Sequence, residues 1–232
     1  KDDNRFTHYS TGVGVDTGMW GLELDAGLNT SESLSDRVEI AVVNYLQKNQ
    51  NVIYLEIENE LYPQFTGLLT PSKGLIYAVL NSYAEKEAGK WKLRAEDISS
   101  ARREELNTVY NLIESIGKRL EYKTVRQDKF LQWEESGKPV RKFNVMASAL
   151  INRALQTNAK DTILVVPGGR AALISYKQTR HPSLAEKKKN YRVVKFRLLR
   201  TISEVPILTR ETFEEQIASD PVEQSKGQMM MF

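Results

Sequence analysis

The chain has 232 residues, of which 41% are hydrophobic and 27% are charged, and its formal net charge at pH 7 is +3. That length suits one large domain or two small ones, each able to bury its own apolar core. Because the sequence contains no cysteine, disulfides, thiolate nucleophiles, zinc ribbons and iron–sulfur clusters are excluded. The two histidines, His8 and His181, lie far apart, which argues against a catalytic zinc site, and no cofactor is predicted. No apolar run approaches the roughly 18 residues of a membrane span, so we expect a cytoplasmic protein without membrane contact.

Residues 1–32 are predicted to form an N-terminal extension and linker, with one short strand over residues 20–24. Gly12, Gly14 and Gly18 do not make a dinucleotide-binding fingerprint, because no strand-to-helix unit follows them. We assign no chemistry to this part of the chain.

Three amphipathic helices are predicted in quick succession within residues 33–97. The first has apolar residues at helical spacing from Leu34 onwards, with Ser35 and Asp36 as candidate N-caps. The second is brief, because the residue before Pro63 avoids the α region. Thr70 and Pro71 predict the start of the third, since a hydroxyl caps orphan amides and proline lacks an amide that would be unpaired there.

The third helix has an inward apolar stripe, and its other side is predicted to carry Lys73, Gly74, Tyr77 and Asn81. A polar segment over residues 85–90 and a short basic strand with Lys90, Lys92 and Arg94 follow. This order resembles the winged helix-turn-helix superfamily, which implies a third helix in the major groove and a wing that reaches phosphate. Two alternatives stay open, packing or binding of another protein, because the second helix carries Glu56, Glu58 and Glu60.

Residues 100–203 predict a small α/β domain with a mixed sheet, so that the fold class of the whole chain is α/β (mixed α+β). A long helix over residues 101–120 comes first. The remaining predicted elements are strands over residues 122–126, 130–133 and 140–145, a helix over 147–155, a strand over 162–166, a helix over 169–180 and a strand over 191–198. Ser136 and Gly137 form the predicted turn between the second and third strands.

That order resembles the core of the PD-(D/E)xK nuclease superfamily. The resemblance implies carboxylates in the second and third strands that hold a divalent metal ion, Mg²⁺ or Mn²⁺, beside the scissile phosphate. The candidate residues are Glu134, Glu135, Lys142 and a helix-borne acid such as Glu105. The position two before Lys142 is Val140, however, where the family has an acid. A catalytically silent fold without a metal is therefore the main expectation, and a metal-dependent nuclease is the alternative.

Two further features of this part of the chain suggest anion binding. In the turn over residues 166–170, two glycines precede a helix and Arg170 adds a charge, although a plain tight connection explains the turn as well. Cations then accumulate up to residue 200, and those of the strand over residues 191–198 are expected to form a fixed array against phosphate. The predicted binding residues of this run are Lys177, Arg180, Lys187, Lys188, Lys189, Arg192, Lys195 and Arg197.

Residues 204–232 are predicted to form an acidic helix, in which Phe213 and Ile217 share a face, and a flexible tail. The last five residues resemble the bacterial sliding-clamp-binding peptide. The resemblance implies that Gln228 hydrogen-bonds at a pocket rim while Met229, Met231 and Phe232 fill an apolar groove. The open alternative is that these apolar residues fold back onto their own domain.

Residues 61–83, 91–97 and 163–177 are loosely similar to carboxy-terminal modules of large bacterial DNA-modification and phage-defence proteins. We therefore predict a non-catalytic adaptor module of such a system, which holds duplex DNA through the winged helix and a basic strand. The alternatives are the nuclease and a protein–protein scaffold within a defence complex, whose partners are other subunits.

Overall fold

The computed structural model describes residues 33–65, 67–127, 130–155, 162–181, 184 and 191–219, together with the backbone of residues 6–8 and 20–22. Within this part of the chain the fold is mixed α+β, as the sequence predicts. Near the N-terminus, β1 (Phe6–His8) pairs with β2 (Trp20–Leu22) in antiparallel register.

A helical unit follows, made of three helices and a hairpin. Its elements are α1 (Leu34–Lys48), α2 (Tyr54–Leu61), α3 (Lys73–Tyr83), β3 (Ala84–Glu87) and β4 (Lys90–Leu93). The hairpin turns through Ala88 and Gly89, both at positive φ, the conformation that a two-residue hairpin turn requires. Val52 forms an isolated antiparallel bridge with Trp91, which ties the segment before α2 to the hairpin.

Two predicted helix starts need correction. Ser33, and not Ser35 or Asp36, caps α1, since its side chain accepts a hydrogen bond from the amide three residues on. Ser72 caps α3 in the same way. The Thr70 hydroxyl instead donates to the backbone carbonyls of Phe65 and Gly67 in the preceding turn, so it does not cap α3.

The second part of the chain is built on one sheet. In chain order its elements are α4 (Ser99–Arg119), β5 (Lys123–Gln127), β6 (Phe130–Glu135), β7 (Lys138–Val145), α5 (Ile151–Ala154), β8 (Thr162–Val166), α6 (Ala171–Arg180), β9 (Tyr191–Lys195), α7 (Phe196–Glu204) and α8 (Arg210–Ser219). The strand order is β5-β6-β7-β8-β9, antiparallel from β5 to β7 and parallel from β7 to β9. The predicted mixed sheet and the turn through Ser136 and Gly137 are confirmed.

Two predicted elements differ from the structure. The helix over residues 147–155 is reduced to α5, because the backbone of Ala149 bonds to the side chains of Glu39 and Lys177 instead of continuing a helix. The strand predicted to end at residue 198 ends at Lys195. Phe196 already starts α7, in which it is buried with Leu199 and Ile202, a spacing that suits a helix better than a strand.

Apolar cores cover both faces of the sheet. On one face, α1, α3 and α6 pack against Leu164 and Val166 of β8, so this core extends across the predicted domain boundary between residues 97 and 100. On the other face, α4, α7 and α8 pack against Ile163 and Val165. Within that second core Gly117 is needed, because a Cβ atom there would stand only 2.5 Å from Trp133 Nε1.

A buried charge cluster joins the helical unit to the sheet. The Lys177 ammonium of α6 lies 2.5 Å from carboxylate oxygens of both Asp36 and Glu39 on α1, and all three residues are buried. Tyr83 of α3 donates its hydroxyl to Glu39. Burial raises the pKa of the Asp36 carboxyl, with the Lys177 charge opposing this, which suits a cluster of two acids and one base.

Replacing Lys177 with methionine should lower the free energy of unfolding by about 3–5 kcal/mol, because two buried carboxylates lose their counterion. Denaturant unfolding of the purified protein measures this change. Lys118→Met, at an exposed position of α4, is the matched control and should change stability little. Equal effects of the two substitutions would contradict the role assigned to the cluster.

Candidate nucleic-acid interface

The outward side of α3 carries three polar residues in one row, which we call the α3 face: Lys73, Tyr77 and Asn81. Their spacing of four residues places them above one another along the helix. All three are exposed, the Lys73 side chain at 73% and Tyr77 at 38%. The predicted outward position of these residues is confirmed, while contact with DNA stays a prediction.

Aromatic stacking fixes the α3 face relative to α2 and the hairpin. The Tyr77 ring stacks on Tyr54 with centroids 4.5 Å apart, and meets Trp91 of β4 edge-on at 6.2 Å. Lys86 of β3 lies over the Trp91 ring, with its Nζ 5.6 Å from the ring centroid. Aromatic pairs prefer stacked or edge-to-face arrangements, so these contacts hold the Tyr77 ring in one orientation before any ligand binds.

The cations of the hairpin differ in how much charge they leave for a ligand. Lys92 is one-third exposed and pairs with Glu85 at 3.3 Å and Glu87 at 2.9 Å, so its charge is largely neutralised. Lys90 is exposed and makes no ion pair within the described part of the chain. Of these two lysines, Lys90 is therefore the stronger candidate for a phosphate contact.

The acids of α2 are partly engaged within their own helix. Glu56 accepts a hydrogen bond from the Ile53 amide at 2.7 Å, and Glu58 accepts one from the Tyr62 hydroxyl at 2.7 Å. Glu58 also lies 3.8 Å from the Lys73 ammonium. Glu56 and Glu60 remain exposed, and so they still oppose a polyanion that approaches α2.

Three predicted phosphate contacts are wrong because the side chains are buried. Arg170 is 1% exposed and pairs with Asp97, and its guanidinium also donates to the Ser82 carbonyl. Lys177 is 0% exposed in the cluster with α1, and Lys195 is 3% exposed. A cation is buried in this way only when it is paired, and the pairing that permits burial removes it from a ligand.

The predicted cationic array on the last strand is also wrong. Side chains alternate along a strand, so Arg192 and Lys195, three positions apart, lie on opposite faces of the sheet. Arg192 pairs with Glu214 of α8 at 2.9 Å. Arg197 belongs to α7, where it is exposed.

The remaining predicted contacts divide between accessible residues and residues outside the described part of the chain. Arg180 is exposed at the end of α6, with its guanidinium 5.0 Å from the Tyr176 ring centroid. The Tyr176 hydroxyl would lie 3.5 Å from a Cβ atom at Gly74, which brings Arg180 near the start of the α3 face. Lys187, Lys188 and Lys189 lie outside the described residues, as do the clamp-like residues Gln228, Met229, Met231 and Phe232.

A cavity of about 300 Å³ lies beyond the other end of α3, and we call it the arginine cavity. Five arginines and three acidic residues line it together with the glycine turn before α6. Its arginines are Arg94, Arg102, Arg170, Arg197 and Arg200. Arg94 links it to the α3 face, because its Nη2 donates to the Asn81 carbonyl at 2.8 Å. The predicted DNA-binding residues include three of these five arginines and omit Arg102 and Arg200. Arg102 pairs with Asp97 nearby in the chain, whereas Arg200 meets Glu105 only in the fold.

The nuclease candidates occupy separate ion pairs. Glu135 pairs with Arg210, Glu134 lies 3.5 Å from Lys123, and Glu105 pairs with Arg102 and Arg200. The Lys142 ammonium stands 4.0 Å from the centroid of the Phe130 ring. Among the described residues, no group of three or more acids or histidines is placed to hold a metal ion. This arrangement gives the nuclease alternative no support.

A second cavity, of about 400 Å³, lies between α1 and α4. Ile40, Val43, Leu106 and Leu150 give it apolar walls, while Glu39 and Arg102 are already paired within the fold. Its other polar residues, among them Asn44, Gln47, Ser99, Arg103 and Ser148, do not form a set of one charge or one ligand chemistry.

The chain matches no known family model and no curated protein sequence. Its membership of the winged-helix and nuclease superfamilies therefore stays a prediction. None of the described helices combines the length and the apolar character needed to cross a membrane.

His181, directly after α6, should make stability depend on pH. Burial, and then the nearby Lys177 charge, lower its pKa below the ordinary value of 6.5. As the pH falls through the range just below 6.5, the unfolded chain gains a proton that the folded chain does not, so the free energy of unfolding decreases.

Denaturant unfolding at about pH 7.5 and about pH 5.5 tests this effect. His181→Gln should show a smaller decrease between the two pH values than the unmodified protein. If both proteins lose the same stability, His181 is not responsible for the pH dependence.

Proposed function

We propose that this chain is a non-catalytic DNA-binding module that contacts duplex DNA through the α3 face. The observation that carries this proposal is the exposed row Lys73, Tyr77 and Asn81 on a helix whose opposite side is fixed in the core. A helix of 11 residues fits the major groove, and asparagine can bond both to N6 and to N7 of adenine.

Three groups beside α3 can add phosphate contacts without being part of the reading helix. Lys90 is exposed on the hairpin, Arg180 is exposed beyond the start of α3, and Arg94 lies at its end. The basic strand that the sequence predicted takes no part in this proposal. The geometry thus favours a compact contact centred on one helix over a broad cationic sheet.

The wider setting is proposed on the resemblances alone. We propose that the module serves a bacterial DNA-modification or phage-defence system and that residues 228–232 recruit a sliding clamp. The first idea depends on the similarity of residues 61–83, 91–97 and 163–177, and the second depends on the last five residues, which lie outside the described part of the chain.

A protein-binding scaffold is the second candidate function, and one observation favours it. Ile53 and Leu55 are 43% and 57% exposed at the start of α2, beside the acids Glu56 and Glu60. Such a mixed apolar and acidic surface suits a basic protein partner better than it suits DNA. This candidate requires no affinity for duplex, so the experiment below separates the two functions.

Fluorescence anisotropy with a labelled duplex at several salt concentrations tests the DNA proposal. Binding should weaken steeply with salt, because bound cations displace counterions from phosphate. The double variant Lys73→Gln with Asn81→Ala should weaken binding by about tenfold or more and reduce the salt dependence.

The matched control is Lys118→Gln, which removes one positive charge on α4 at the other face of the sheet. It should leave duplex affinity nearly unchanged. Absence of duplex binding at low salt would refute the proposal, and so would equal losses in the control and the double variant.

A further inference from the structure

The arginine cavity lies where parallel sheets place their ligand sites. Strands β7, β8 and β9 run parallel, so their carboxyl ends meet at one edge of the sheet. Pro167, Gly168 and Gly169 follow the end of β8 and Phe196 follows the end of β9, and all of them line the cavity. In open α/β sheets, this edge is the usual place for small-molecule binding.

Two helices begin at the cavity, and neither has a side-chain cap. The glycine turn leads into α6, and α7 begins at Phe196. The first intrahelical donor of the glycine turn is the Arg170 amide, which bonds to the Pro167 carbonyl at 3.0 Å, so the amides of Gly168 and Gly169 have no intrahelical acceptor. Helix starts of this kind carry partial positive charge and favour an anion.

The side chains of the cavity leave an excess of positive charge. Asp97 and Glu105 are shared among Arg102, Arg170 and Arg200, and with Arg94, Arg197 and Glu96 the lining has five cations against three carboxylates. Among the described residues, Arg94 makes its hydrogen bonds to the carbonyls of Asn81 and Ser82 and forms no ion pair. The Arg102 side chain is 8% exposed, and its Nε is buried without a hydrogen-bond partner in the described part of the chain.

We propose that the arginine cavity binds a phosphate monoester dianion. Arg94 and Arg200 supply guanidinium groups at its rim, and the amides of Gly168 and Gly169 supply backbone donors. Guanidinium groups form two parallel hydrogen bonds with phosphate, and the volume of the cavity suits a small anionic group. The proposal does not depend on duplex binding by the α3 face, since Arg200 and the two amides lie at the sheet edge and Arg94 is the one donor shared with that face.

The dianion has two possible sources with the same chemistry: the terminal phosphate of a nucleic acid, or a free nucleoside monophosphate or inorganic phosphate. Calorimetric titration in phosphate-free buffer uses four probes, namely inorganic phosphate, adenosine monophosphate, a duplex with 5′-phosphate ends and the same duplex with 5′-hydroxyl ends. Saturable binding of either small probe, or tighter binding of the phosphorylated duplex, is the result that the proposal expects.

Two independent changes to the cavity should weaken this binding. Arg94→Gln with Arg200→Gln removes rim cations and should weaken phosphate binding at least about tenfold, as expected for lost charge-assisted hydrogen bonds. Gly168→Asp places a carboxylate where a Cβ atom meets nothing within 4 Å, at a helix start that tolerates an acid. It should also weaken binding at least about tenfold, and it keeps the test valid if the double variant folds poorly.

The control is Arg103→Gln, an exposed charge removal on α4 outside the lining of the arginine cavity, and it should bind the small probes like the unmodified protein. A preference for phosphorylated ends assigns the site to nucleic-acid termini, whereas small-probe binding with no end preference assigns it to free phosphates. The proposal is overturned if none of the phosphate probes binds, or if the cavity variants bind them as tightly as the unmodified protein does. Binding of the 5′-hydroxyl duplex is read separately, because it reports only on the α3 face.

Discussion

The buried contact between Lys177 and the two acids of α1 determines how the helical unit sits on the sheet. Asp36 and Glu39 cannot be buried without a cation, and α6 supplies that cation from the sheet side of the interface. Arg170 and Asp97 form a second such pair at the other end of α3. Directional pairs of this kind permit fewer arrangements than apolar packing alone, so they fix which side of α3 faces outward.

The same pairs show why the number of cations in the sequence exceeds the number that a polyanion such as DNA can contact. Arg170 of the glycine turn and Lys177 and Lys195 of the basic run were predicted to contact phosphate, yet all three are buried. Of the cations predicted to contact DNA, the exposed ones among the described residues lie on α3, the hairpin, the end of α6, β9 and α7. The proposed contact with DNA therefore centres on α3 and does not need a cationic sheet.

Local patterns predicted the elements well, since a helical or alternating period is written in neighbouring residues. The apolar stripe of α3 and the turn through Ser136 and Gly137 depend on such short-range information. The start of α7 at Phe196 was missed because charged residues on either side resembled strand alternation. The pairs of Lys177 with Asp36 and of Arg170 with Asp97 join residues 141 and 73 positions apart, so no local pattern could reveal them.

The α3 face and the arginine cavity are separated by a single side chain. Arg94 donates to the carbonyl of Asn81 on the face, and its Nη1 would lie 3.1 Å from a Cβ atom at Gly169 in the cavity. A duplex on the α3 face would thus bring its backbone close to the cavity, whose volume of about 300 Å³ suits a chain end or a small phosphate. The proposed groove contact and the proposed capture of a terminal phosphate are therefore compatible with each other, and Arg94 is the residue that the two proposals share.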